Sequence, residues 1–291
     1  MSTIAAWLLL AGTAQGVSPP PAAEVGQVHE LSKRYETAQQ SSGGSSGTSR
    51  GRDAMVERVL ATSDAGLELE FDLPDAATPE DRSRHWQFPV RVLKPASGPM
   101  QVLNWPELDA RLDVWLAGAG LTRAQCGQWI FTWNAFRIDC DPASVIAALE
   151  GFDIGHARLR EGDAYHDDGA EAPGTLQRLS PDSDNVRLSA TLDIDPGAVR
   201  HARAETDVAV GEMTGQPVSL EAALANRNEE AVSGTITVTF DLDADGKPWR
   251  RTRVTKLEIK TAGGETENQT VTETVERRLL RDGGDSEEAA G

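Results

Sequence analysis

The chain has 291 residues, a hydrophobic content of 39% and a net charge of −18. That length can bury a core in one large domain or two small ones. The acidic balance argues against nucleic acid and anionic membrane surfaces as partners, because both need clustered lysine and arginine.

The first residues read MSTIAAWLLLAGTAQG. Ile4 to Leu10 form an apolar run too short to span a bilayer. Ala14-Gln15-Gly16 offers a small-x-small cleavage site, and Pro19-Pro20-Pro21 soon forbids helix. Residues 1–16 therefore read as a secretory signal, although the segment before the apolar run has no Lys or Arg. No later run has membrane length, so no transmembrane segment is expected in the mature chain. Arginine in excess of lysine, with abundant Ala, Gly and Asp, is bacterial usage. The expected location is periplasmic or secreted.

Residues 17–52 have linker composition, from VSPPPAA to QQSSGGSSGTSRGR, which is too polar and Gly-rich to pack. Within them Val28, Leu31 and Tyr35 share a helical stripe, and a short helix is expected there. Order is expected from Met55, with an α+β domain over 53–160. Gly66 to Leu73 alternates apolar and acidic residues and predicts a half-buried strand. Thr78-Pro79-Glu80-Asp81 predicts a capped helical turn. His85 to Lys94 predicts extended structure, at an edge or a bulge because of Pro89. Asn104 to Leu116 is the strongest helix: Asn104 and Glu107 make a capping-box-like pair, and Leu108, Leu112, Trp115 and Leu116 form one face. A second helix is expected from Asp141-Pro142, burying Val145, Ile146 and Leu149 and ending at Gly151.

An antiparallel β domain is expected over 161–281, with the possibility of one core shared with the preceding domain. Residues 160–185 are acidic and turn-rich. Strands follow around Val186–Ile194, Ile236–Phe240, Trp249–Lys260 and Val271–Leu279, with turns at Asp245-Gly246 and Gly263-Gly264. The apolar parity slips between Val254 and Leu257, which predicts a bulge. Residues 282–291 read as a disordered acidic tail. The fold class is thus α+β: antiparallel sheets, a few short helices and a C-terminal antiparallel meander.

The two cysteines bracket CGQWIFTWNAFRIDC, residues 126–140. A hairpin with Thr132-Trp133-Asn134 as its loop places Phe131 opposite Ala135, Trp129 opposite Arg137 and Cys126 opposite Cys140. The cysteines then occupy a non-hydrogen-bonded pair with Cα atoms about 4.5 Å apart, within disulfide range. A Cys126–Cys140 disulfide suits an exported chain. A redox pair would need C-x-x-C spacing. Ile130, Phe136 and Ile138 would face the core, and Trp129 would stack on Arg137 outside.

No cofactor or metal is expected. Gly43-Gly44-Ser45-Ser46-Gly47 matches the G-x-S-x-G pattern of hydrolases but lacks a strand before it. Asp241 to Gly246 starts like a calcium loop, yet Thr252 stands where the bidentate Glu belongs. His29-Glu30 starts H-E-x-x-H, but Lys33 takes the second His position. Tyr165-His166-Asp167-Asp168 lacks a second nearby His and reads as a solvated acidic loop. The G-x-G-x-x-G and Walker patterns are absent. Of the tryptophans, Trp115 belongs to the core stripe. Trp129 and Trp133, with Arg137, are the candidate contacts for a partner or ligand.

The order of apolar leader, short helix and antiparallel meander resembles that of periplasmic half-barrel carriers of lipids and lipoproteins. The likeness is architectural, covers at most the C-terminal hundred residues and has no motif behind it. It implies a curved sheet able to hold an apolar ligand on its inner face. The expected function is therefore non-catalytic: an exported bacterial envelope protein that binds an envelope protein partner or an apolar ligand. The alternatives are a secreted hydrolase using carboxylates and a purely structural envelope component.

Overall fold

The computed structural model describes residues 25–131, 135–179 and 186–280. The expected signal at 1–16, Trp133 and the acidic tail at 282–291 lie outside them. Strands β1 (Val28–Ser41), β2 (Ser46–Ser63) and β3 (Gly66–Asp72) come first. Helix α1 (Pro79–Arg84) precedes β4 (Val90–Lys94), β5 (Gln101–Val102) and α2 (Trp105–Gly118). A separate hairpin of β6 (Trp129–Phe131) and β7 (Ala135–Arg137) leads to α3 (Val145–Glu150). Next come β8 (Ala164–Tyr165), β9 (Gly174–Thr175), β10 (Gln177–Arg178) and β11 (Arg187–Asp193). Helices α4 (Pro196–Thr214) and α5 (Leu220–Arg227) precede the meander of β12 (Ala231–Leu242), β13 (Pro248–Lys260) and β14 (Thr266–Leu279).

Among the described residues, ten strands join one antiparallel sheet in the order β10-β11-β12-β13-β14-β1-β2-β3-β4-β5. The expected mixture of antiparallel sheet and short helices is present, dominated by sheet. Both outer strands have only two residues, which leaves little edge for another chain to pair with.

The largest correction concerns residues 17–52. Much of this expected linker is sheet: β1 pairs with β14 on one side and β2 on the other. The Val28/Leu31/Tyr35 stripe is not helical, since Leu31 lies in a strand and is buried. Local composition misleads here because the stabilising contacts are long-range. Both of β1's hydrogen-bonding edges are occupied, and the Tyr35 ring lies so close over Gly51 that a Cβ there would clash with it. The G-x-S-x-G match spans the β1–β2 turn and the first two residues of β2, so it leads from strand to strand. A division into 53–160 and 161–281 also cuts this sheet, because β1 bridges its two halves.

Directly opposed residues of antiparallel strands share a face. The row Leu279, His29, Glu57, Phe71 and Val90 and the row Leu188, Phe240, Arg251, Val275 and Lys33 therefore lie on one inner face. Two apolar clusters occupy its flanks. The first gathers Leu31, Met55, Leu69, Phe71, Val90 and Val92 under Leu108, Leu112 and Leu116 of α2 and Leu149 of α3. The second packs Leu188, Leu192, Ile236, Val238 and Phe240 under Leu176, with Leu159 and Tyr165 against it. The inner face of the meander, expected to be open to an apolar ligand, is in this way covered by the chain's own 159–176 segment.

Local expectations fare unevenly. Thr78 caps α1 through a reciprocal box with Asp81, and Asp141 accepts from the Ala143 amide ahead of α3. Asn104 starts α2 without a side-chain cap bond. Its Oδ1 instead accepts from the Arg91 amide at 2.9 Å, and its Nδ2 donates to Glu107 at 3.1 Å. The bulge expected between Val254 and Leu257 is absent: the β12–β13 register runs unbroken there and shifts at Asp241/Leu242. Arg251, Arg253 and Thr255 share the inner face with Leu257 and Ile259, so the parity slip marks a change from ionic to apolar surface along one strand. Helices α4 and α5 were not expected in the C-terminal β region.

Candidate functional site

The Cys126–Cys140 disulfide is formed. In the hairpin beside it Trp129 opposes Arg137, Ile130 opposes Phe136 and Phe131 opposes Ala135. The cysteine Cα atoms stand 5.6 Å apart, wider than the ~4.5 Å of a regular pair. Gly127, at φ 79°, explains the difference. Its amide donates to Ile138 O, while the Ile138 amide donates to Gln128 O. Two residues thus face one, in a bulge that needs glycine in the left-handed region.

The candidate contact residues are not gathered into a pocket. Trp129 is half-buried and donates through Nε1 to Glu212 of α4 at 3.0 Å. Arg137 is exposed and donates from Nε to Gly127 O at 2.8 Å. Trp133 lies outside the described residues.

Two concave sites lie elsewhere. The first is an apolar groove of about 590 Å³ between α2 and the segment after α1, lined by Trp86, Phe88, Val114 and Trp115 with Arg82, His85 and Arg111. Trp115, expected in the core, packs against it only in part and turns towards this groove. Val114 is 74% exposed. The walls are fastened to each other: Asn104 Nδ2 and Arg111 Nη2 both donate to Pro89 O, at 3.3 and 2.5 Å. Among the described residues, the hydrogen bonds of Arg111 go to carbonyls, those of Pro89 and Glu107, and burial pulls its pKa down. It is a cation at an apolar wall without a carboxylate bonded to it.

The second is an ionic cluster on the inner face between the two apolar cores. Glu57 is 3% exposed and accepts a short hydrogen bond from Arg277. His29 Nδ1 stands 3.5 Å from Glu57 and His156 Nε2 3.7 Å. Lys94 bonds both oxygens of Asp153, at 2.6 and 2.5 Å, and contacts His156 Nδ1 at 3.2 Å. An ammonium has no lone pair, so Nδ1 is the acceptor and the neutral ring carries its proton on Nε2, facing Glu57. Burial alone would raise the Glu57 carboxyl; His156, His29 and Arg277 outweigh it and hold the pKa well below the usual range. Burial, with Arg277 and Lys94 nearby, depresses His156 more than Glu57 raises it.

A neighbouring network holds Asp167, read from sequence as part of a solvated loop. Its side chain is only 7% exposed. Arg253 grips it with two bonds of 2.8 and 3.0 Å. Among the described residues, no group of three or more His, Cys, Asp or Glu is arranged to hold a metal ion.

Sequence reasoning had a signal for the groove and missed it. Val114 is apolar but lies off the Leu108/Leu112/Leu116 stripe, and Trp86 was one of several clustered tryptophans. The Glu57 cluster had no local signal, since its members come from β1, β2, β4, β14 and a loop.

The chain matches no protein-family model, and no curated protein is significantly similar to it. Among solved structures it is similar to one of lipovitellin concerned with lipid-protein interactions, at 9% identity and a TM-score of 0.34. That match covers 92% of this chain and 26% of the other, so the chain spans about a quarter of its length. No described helix is long and apolar enough to cross a membrane.

Proposed function

We propose that this is an exported, non-catalytic binding protein of the bacterial envelope, and that its ligand is an amphiphile with an apolar tail and an anionic head. The observation that carries this reading is the α2 groove. Trp86, Phe88, Val114 and Trp115 supply an apolar wall with large contact area. Arg111 supplies a partly desolvated charge with no carboxylate bonded to it, which an anionic head group would satisfy. The disulfide supports an oxidising compartment.

The carboxylate-hydrolase alternative would draw on Glu57 and His156. It is weakened by Arg277, which occupies the Glu57 carboxylate that would have to act as nucleophile or base.

The test is displacement of a fluorescent fatty acid by oleate, with octyl glucoside as the uncharged comparison. Oleate should displace the probe and octyl glucoside should compete poorly. Val114→Asp changes an exposed helix position, so the fold should survive while oleate affinity falls about tenfold or more. Failure of oleate to bind, or undiminished binding by a folded Val114→Asp variant, would overturn the reading.

A further inference from the structure

A second cavity, of about 330 Å³, opens at the end of the inner face where β1, β13 and β14 meet the β12–β13 turn. It shares no lining residue with the α2 groove. Its two ends differ in chemistry. At the base, His29 Nδ1, His156 Nε2 and Arg277 Nε are all buried without a hydrogen-bond partner. Buried polar groups are nearly always satisfied, so each such atom needs an explanation. Glu57 does not supply one: it takes its bond from Arg277 Nη2 and stands 3.5 and 3.7 Å from the two imidazoles without a hydrogen bond to either. The base is therefore short of acceptors. Lys247 also lines the cavity, from the β12–β13 turn that carries Asp243 and Asp245.

The mouth is the opposite. Asp243 and Asp245 are exposed there: Asp243 Oδ1 accepts from the Asp245 and Lys247 amides at 2.9 Å, while the Asp245 side chain is 69% exposed and stands 3.9 Å from Arg158. Trp249, 38% exposed, lies in the same wall. A carboxylate pair beside an indole suits an ammonium group, through charge and through the face of the ring.

We propose that this cavity binds a small zwitterion, of the class of the free α-amino acids, with its carboxylate at the His29/His156/Arg277 end and its ammonium near Asp245 and Trp249. The cavity has room for a molecule the size of a free amino acid. Leu279 gives the side chain an apolar contact. The bound carboxylate supplies the acceptors that the base lacks, and the two charges of the ligand match the two ends of the site.

Isothermal titration of the full chain tests this with L-leucine, leucinamide and N-acetyl-leucine, extended to the other standard amino acids. At least one free amino acid should bind, and its amide and N-acetyl forms should each bind about tenfold more weakly or worse. Trp249→Ala and Asp245→Asn alter exposed positions and should weaken the free amino acid by a similar factor. Asp245→Asn should leave the N-acetyl form unaffected. If no free amino acid binds the folded protein at millimolar concentration, the proposal fails. If the N-acetyl form binds as well as the parent, the site is a simple anion site and the zwitterion assignment is wrong. Neither result bears on oleate binding at the α2 groove.

Discussion

Glu57 on β2 and Arg277 on β14 are hydrogen-bonded across β1, although 220 residues separate them in the chain. Their side chains are 4% and 12% exposed. The pair ties the N-terminal half of the sheet to the C-terminal half where the two apolar cores part. A buried pair is costly to break from one side, because the remaining charge is left without its partner. Glu57→Ala should therefore destabilise by about 3–5 kcal/mol. The double variant Glu57→Met/Arg277→Met should recover much of that loss, since neither charge is then stranded. Urea unfolding of the two single variants and the double variant measures the coupling. Additive losses would mean that the pair is not the link between the halves.

The same cluster sets the acid limit of stability. His156 has a depressed pKa in the folded state, because burial opposes its protonation. Between that value and the ~6.5 of an unfolded imidazole, the unfolded chain binds the extra proton. Stability must then fall as pH falls below ~6.5. Against burial, which would raise both, the His156 and His29 imidazoles with Arg277 hold Glu57 below its ordinary value, and Lys94 holds Asp153 below its own. Their contribution is complete above ~4.5 and is lost as pH falls through the folded pKa values. Unfolding midpoints measured between pH 8 and pH 3 should show both phases. His156→Gln should remove the upper phase and leave the lower one.

Leu31 tests the role of β1. Were residues 17–52 a linker, Leu31→Ala would be silent. In the sheet Leu31 is 3% exposed and opposes Met55 on one side and Arg277 on the other. Truncating it should cost about 2–5 kcal/mol, read from the denaturant midpoint at unchanged slope. Limited proteolysis should also spare Arg34 and Arg52 in the native protein.

What the sequence disclosed and what it hid divide along this strand. Elements whose cause is local were legible: Thr78 and Asp141 cap helices through their own neighbours, the Leu108/Leu112/Leu116 stripe shows α2, and Asp245-Gly246 and Gly263-Gly264 turn the meander. The hairpin register was legible because two cysteines and a short loop leave few alternatives. β1 was not, since Ser32, Lys33 and Arg34 carry no strand signal and are held by partners at Ala54 and Glu276, Asp53 and Val275, and Arg52 and Thr274. The ionic inner face was hidden for a related reason: Arg251 and Arg253 look like solvated charges until the 151–169 segment lies over them, with Asp153 O and Asp167 as their acceptors. The α2 groove was half visible, in Val114 and Trp86, but its enclosure depends on how the segment after α1 folds back.

The disulfide closes a loop with a sequence separation of 14. In the chain-entropy account a loop of that size contributes roughly 3 kcal/mol. Cys126→Ser/Cys140→Ser should lose about that much, and dithiothreitol should have the same effect on the wild type. A loss near zero would mean that the Gly127 bulge and the packing of Ile138 hold the hairpin unaided.

Trp129 separates an anchoring role from a recognition role. Its indole N–H donates to Glu212 of α4 and so joins the disulfide hairpin to the helical pair. Trp129→Phe keeps an aromatic ring but deletes that donor, and the bond is partly solvated. The expected cost is about 0.5–1.5 kcal/mol, with oleate affinity unchanged because the α2 groove is lined by other residues. If the hairpin is instead a partner surface, the variant should keep its stability and lose capture of an envelope protein. Thermal unfolding and pull-downs on the same preparation therefore give opposite results for the two roles. The anchoring role also predicts that Glu212→Gln reproduces most of the stability loss of Trp129→Phe, and that combining the two adds little. A recognition role places no such constraint on Glu212.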